Sequence, residues 1–191
     1  MNWLAHIFIS KNSIDYQLGN ILADPLKGRS WQGASRQLED GLKMHRSIDA
    51  FTDSNKIVLR SKSRLGSHGY LKGVIIDIAY DYLLVKHWNH YSKVNIECFI
   101  DTFYRKANVA IEKYPGNARA FVKSVIDSDL LMSYGTLKGL EVAFQRIDSR
   151  LSDRVIARET AVGYLPLLKR EMPGLEQDFS QFFPLLVEHF K

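Results

Sequence analysis

Apolar residues recur at intervals of three and four along nearly the whole chain, and alternating β-branched runs bounded by hairpin turns are missing, so the pattern predicts an all-α protein. Ser13 is placed to cap a helix carrying Ile14, Leu18, Ile21 and Leu22, which must stop near Asp24 because Pro25 disfavours helical geometry in the residue before it. A second helix starts after Ser35 and runs to about Thr52. A loop-rich basic stretch then leads to a helix beginning near Gly73, apolar all round from Val74 to Val85 and therefore central and buried. Asn95 caps another helix with Phe99, Phe103, Ala107 and Ala110 inward, ended by Pro115 and Gly116. Leu137, Leu140, Glu141, Phe144 and Ile147 mark a further helix. The last carries Leu175, Phe179, Phe182, Phe183, Leu186 and Phe190, with Pro184 as a candidate kink. There is no internal repeat.

Some polar residues occupy positions this pattern reserves for the core. At roughly 100° per residue, Leu38, Leu42, His45, Asp49 and Thr52 fall on one narrow stripe, while Glu39, Lys43, Arg46, Ser47 and Asp53 take the other side. His45 and Asp49 therefore point inward. Asp77, Asp81, Leu84 and Trp88 form a second such line on the buried helix. An unpaired buried carboxylate costs several kcal/mol or more, so these groups call for a cation, a proton or an ion pair. One His/Asp pair at i,i+4 reads equally well as a core ion pair. Two inward pairs, with Asp24 at a helix end and His6 among Trp3, Leu4 and Ile7, bury too much charge for that reading and look like the walls of a metal site. His6 alone would be a satisfied core histidine. His87 and His90 end the buried helix, where a cation meets the helix dipole; His68 and His189 carry little weight.

The chain of 191 residues, 46% hydrophobic and without linker or low-complexity stretch, is expected to form one soluble domain. Its apolar runs are too short for a membrane span and its start lacks a signal peptide's features, so the expected location is cytoplasmic. The lone Cys98 excludes an internal disulfide and a thiolate-rich zinc site; His and carboxylate ligands favour a divalent ion such as Mn²⁺, other divalent metals being possible. No GxSxG elbow, P-loop or dinucleotide fingerprint is present, which leaves a metal-activated water as the best-supported nucleophile. The net charge of +5 points to an acidic partner. The excess is concentrated between Lys56 and Lys72, which hold five basic residues and no acid. That segment reads either as a solvated connection or as a docking surface through Lys56, Arg60, Lys62 and Arg64. Nucleic acid fits it poorly, since Tyr70 is its one aromatic and no stacking array exists.

Met1 to His6 (Met-Asn-Trp-Leu-Ala-His), Gly19 to Asp24 (Gly-Asn-Ile-Leu-Ala-Asp), Met44 to Asp49 (Met-His-Arg-Ser-Ile-Asp) with Thr52-Asp53, and the constellation of Asp77, Asp81 and His87-Trp88 resemble the acyl carrier protein phosphodiesterases. Beyond Trp88 the likeness rests on helical pattern and a few positions such as Tyr134 and Arg150. The resemblance implies a fold distantly related to HD-domain phosphohydrolases, although this chain has no adjacent His-Asp dipeptide. It further implies Mn²⁺-dependent removal of 4′-phosphopantetheine from an acidic holo-acyl carrier protein. On that reading Asp24, His45, Asp49, Asp77 and His6 are the metal set, with Asp24, His45 and Asp81 in the catalytic roles; Asp77 or Asp81 could be a ligand, the other orienting a histidine or the attacking water. Arg46 points away and is kept as a phosphate or carrier contact only. The competing readings are an HD-like hydrolase of a nucleotide or other small phosphoester, and a non-catalytic helical module that binds an acidic partner.

Overall fold

In the computed structural model, which describes residues 1–191, the chain forms helices and no strand. The first three are α1 (Trp3–Ile9), α2 (Ile14–Leu22) and α3 (Arg36–Ser54). Ser35 caps α3, its hydroxyl accepting from the Leu38 amide at 3.2 Å. Ser13 stands at the cap position of α2, but its hydroxyl donates to Gln37 and so ties α2 to α3. These two helices pack backbone against backbone. A Cβ on Gly19 would lie 2.1 Å from the Leu38 carbonyl oxygen, and one on Gly41 2.1 Å from that of Tyr16. Any side chain at either glycine would force the helices apart, so the pair fixes the register that brings Asp24, just past α2, beside the middle of α3.

The segment expected to be loop-rich is a helix, α4 (Lys56–Arg64). Asn55 ends α3, its N–H bonding the Thr52 carbonyl, and starts α4, its side chain accepting from the Ile57 amide at 2.9 Å. Val58, Ser61 and Leu65 are the buried face, spaced by three and four. Next comes α5 (Lys72–Lys86), with Ile75, Ile76, Ile78, Ala79, Tyr80, Leu83 and Leu84 buried and α1, α4, α10 (Leu137–Asp148) and α12 (Leu165–Phe190) packed around it. It is the central helix the pattern predicts. His87 ends it and pairs with Glu176 of α12, whose carboxylate Lys86 also reaches at 2.8 Å.

The remaining helices are α6 (Trp88–Tyr91), α7 (Ile96–Ala110), α8 (Gly116–Asp127), α9 (Leu130–Ser133) and α11 (Asp153–Ile156). Asn95 caps α7 as expected, accepting from Glu97 and Cys98 amides. α12 runs through Pro173 and Pro184 without ending at either. One apolar cluster joins all the helices except α11. No helix is long and apolar enough to cross a membrane.

Candidate metal centre

Three helices converge on His45. Its Nε2 lies 3.0 Å from Asp49 Oδ2, one turn along α3, and 3.3 Å from Asp24 Oδ1, from the end of α2. His6 of α1 stacks its ring on that of His45, centroids 4.3 Å apart, and places Nε2 3.3 Å from Asp49 Oδ1. His6, His45 and Asp49 each offer a ligand atom within 4.8 Å of the others. His6 is oriented by a residue the sequence reading missed. Asn20 donates from Nδ2 to the His6 carbonyl at 3.2 Å and to Ser10 Oγ at 2.8 Å, so its Oδ1 is the acceptor facing His6 Nδ1 at 2.7 Å. His6 Nδ1 must then carry the hydrogen, which leaves Nε2 as the atom turned to Asp49 and to the Met1 carbonyl oxygen at 3.0 Å. Burial pulls the His6 pKa down, against the hydrogen bond to Asp49, which raises it.

The donor set suits a cation. Both ring nitrogens of His45 are buried and have no hydrogen-bond partner, because the two carboxylates approach Nε2 in distance but not in direction. Ligands about 2.1 Å from an octahedral ion lie about 3 Å from their neighbours, close to the 3.0 and 3.3 Å that separate Asp49 from the two imidazoles, while Asp24 reaches His45 at 3.3 Å but stands outside the trio of His6, His45 and Asp49. The electrostatics agree. Burial opposes charge on His45, but Asp24 and Asp49 overrule it and push the imidazole up to about 9. Asp49, which burial alone would raise, is held far below the usual carboxylate range by the two histidines, and His45 lowers Asp24 as well. A proton on His45 supplies the positive charge that a divalent ion would otherwise bring. Asp24 is 73% exposed, so the group opens to solvent, into a cavity of about 170 Å³ that Asp53 and Asp77 also line.

A family model described as acyl carrier protein phosphodiesterase matches residues 1–186. The chain belongs to the acyl carrier protein phosphodiesterase family. A relative of that name from Enterobacter sp. is 31% identical over 195 residues, covering 100% of this chain and 98% of that one. One from Photorhabdus laumondii is 31% identical over 91 residues, 47% of this chain and 46% of the relative, and one from Yersinia enterocolitica is 27% identical over 112 residues, 58% and 56% respectively. The match thus spans about half the length of these last two relatives. No solved structure matches.

The remaining residues singled out for family likeness divide. Asp77 faces the cavity, with Oδ1 2.8 Å from the Met1 ammonium. Asp81, on the same face of α5, goes elsewhere: its carboxylate accepts from the Leu4 and Ala5 amides at 2.8 and 3.2 Å and closes the first turn of α1. Burial pushes it up to about 7 despite those two donors. It takes no place beside His45, so the catalytic role expected of it gives way to anchoring the helix that carries His6. Arg46 donates to the Gly28 carbonyl and braces the loop after Asp24.

The basic set is narrowed too. Arg60 and Arg64 turn to Asp178 of α12, whose side chain has 0% exposure, with Nε-to-carboxylate distances of 2.7 and 2.8 Å; Ser61 Oγ donates to it at 2.8 Å. Two of the four residues expected to dock a partner are therefore spent inside the fold. Lys62 pairs with Asp53 at 2.7 Å on the rim of the cavity, and Lys56 is exposed.

Proposed function

We propose that this chain is a metal-dependent phosphodiesterase that hydrolyses the bond between 4′-phosphopantetheine and a serine of holo-acyl carrier protein, releasing apo-carrier and 4′-phosphopantetheine. The observation that carries the reading is the His45 Nε2 without a hydrogen bond, 3.0 and 3.3 Å from two carboxylates at the mouth of an open cavity. His6, His45, Asp49 and Asp24 would hold the ion, Mn²⁺ being the candidate that His and carboxylate ligands favour. When bound, it would lower the pKa of a water and offset charge on the phosphoryl oxygens. Asn20, accepting from His6 Nδ1, holds the ring with Nε2 facing the Met1 carbonyl oxygen and Asp49, two acceptors between which an ion would take the place of a proton. Asp77, which lines the same cavity and pairs with the Met1 ammonium, would accept a proton from the attacking water. Asp24, the most exposed of the group, faces the incoming diester.

The experiment is to incubate the protein with holo-carrier and Mn²⁺ and weigh the carrier. Loss of the phosphopantetheine mass, abolished by chelation and restored by Mn²⁺, is the expected result. An intact carrier alongside cleavage of a nucleotide phosphoester would move the reading to a small-molecule phosphohydrolase. An intact carrier, no phosphoester cleaved and no bound metal would leave a helical binding module.

A further inference from the structure

A second, larger cavity of about 440 Å³ lies beside the candidate metal centre, with Asn2, Trp3, Asp24 and Val74 lining both. Its volume falls in the roughly 300–1,000 Å³ range of small-ligand sites. Most of its wall is apolar, and Arg146 and Arg150, near the end of α10, stand at its edge beside the Tyr134 ring. Neither guanidinium has an ion pair or a side-chain hydrogen bond, in contrast to Arg60 and Arg64, which the fold consumes. At the junction of the two cavities, Asn2 Nδ2 is buried beside Tyr134 with no aligned hydrogen-bond acceptor. An apolar trough, two free guanidinium groups and an orphaned amide donor, all next to the proposed metal ligands, describe a site for an anionic ester carrying a long, partly apolar chain.

We propose that this cavity binds the phosphopantetheine arm of the substrate, with Arg146 and Arg150 taking the charge of its phosphate and the apolar wall taking its methyl and methylene groups. The proposal rests on the phosphodiesterase reading above. Arg fits here because its planar fork matches phosphate oxygens. Phe121, Val125 and Ile147 cover a gem-dimethyl group better than water does, and Asn2 Nδ2 gains an acceptor from a phosphate or amide oxygen of the arm. Arg146 in the last turn of α10 and Arg150 in the turn that follows it both line this cavity, which places two cationic groups within reach of one anion there.

The test measures binding of free 4′-phosphopantetheine and of unphosphorylated pantetheine to the Mn²⁺-loaded protein by calorimetry, beside KM and kcat on holo-carrier. Arg146→Ala combined with Arg150→Ala should weaken phosphopantetheine about 10- to 100-fold and leave pantetheine within about twofold, since a solvent-screened hydrogen bond from an exposed guanidinium is worth about half a decade to one decade and two are lost. KM for holo-carrier should rise by a similar factor. Ser124→Trp, an exposed residue on the cavity wall that the fold can accommodate enlarged, should weaken both ligands by obstruction. Wild-type protein that binds phosphopantetheine with this Arg dependence but leaves holo-carrier intact would support the cavity and overturn the phosphodiesterase reading instead. Cleavage of holo-carrier with KM and both affinities unchanged in the two variants would overturn the cavity and spare the activity. Equal weakening of both ligands by the Arg variant would overturn the phosphate role, and binding of neither ligand to wild-type protein would overturn the proposal outright.

Discussion

Asp178 lies on the apolar face of α12 with no exposure and accepts four hydrogen bonds, from Arg60, Ser61 and twice from Arg64. Asp24 lies past the end of α2, 73% exposed, beside a histidine whose two ring nitrogens have no hydrogen bond. Both clusters put acids against bases, the first between helices more than a hundred residues apart and the second among the three successive helices α1, α2 and α3. They differ in completeness. Around Asp178 every donor is aimed and every lone pair used, as expected where the chain alone must cover the cost of burying charge. Around His45 the atoms are near one another but not aimed at one another, and two acids share one basic ring. A cluster that holds the fold together is satisfied by the fold; one that takes a ligand is left short by it.

The largest expected effect breaks this contrast from the open side. His45→Ala or Asp24→Ala should lower holo-carrier hydrolysis at least about a hundredfold, since even residues that merely orient metal ligands are worth 10- to 100-fold. Either variant should also lose the rise in melting temperature that Mn²⁺ gives wild type, about 2.7 kcal/mol at a hundred times its dissociation constant. Helicity by circular dichroism should persist, because Asp24 is largely in solvent and neither change opens a large apolar cavity. Near wild-type turnover in either variant would show that the site lies elsewhere.

Next in size is the closed side. Arg60→Ala with Arg64→Ala leaves a fully buried carboxylate with only Ser61, which should cost about 3 kcal/mol, the lower end for a broken buried pair, because partly exposed arginines stabilise less than enclosed ones. For a chain of this length that lowers the melting temperature by about 6–12 °C. The shift caused by Mn²⁺ should survive in the folded variant. A lost metal shift at unchanged melting temperature would reverse the assignment of the two clusters.

The helical fold and the inward pair of α3 were legible because both follow from period alone: His45 and Asp49 share a stripe with Leu38 and Leu42 whatever packs against it. What period cannot supply is the partner. Asp77 and Asp81 share a face of α5, yet one turn of helix separates a cavity wall from the end of α1, so only one of them lines the site. The density of Lys and Arg hid α4, although Val58, Ser61 and Leu65 carried its signal and Asn55 its cap. Asp178 stands between Leu175, Phe179 and Phe182 on an otherwise apolar stripe, a cue as strong as that of Asp49, but its partners are 114 to 118 residues away. His6, taken alone, reads as a core histidine, and it is buried with Asn20 as its partner; its place beside His45 is purely tertiary.

The smallest effect separates the clusters by pH. Burial alone would raise the Asp178 pKa, but hydrogen bonds from Arg64, Arg60 and Ser61 outweigh it and hold the carboxyl below its ordinary value. Because the folded value lies below the unfolded one, the unfolded chain binds more protons between the two, and stability in that window rises with pH. The contribution is complete above the unfolded value, near about 3.9, and disappears as pH falls through the folded one. Asp178→Asn cannot titrate, while Asp24, Asp49 and every other acid titrate alike in variant and wild type and cancel in the difference. Urea unfolding at a series of pH values should therefore show a constant gap between wild type and Asp178→Asn from neutrality down to about pH 5, closing steadily below about pH 4. A gap that stays the same at every pH would mean that the Asp178 carboxylate is not the charge those two arginines hold.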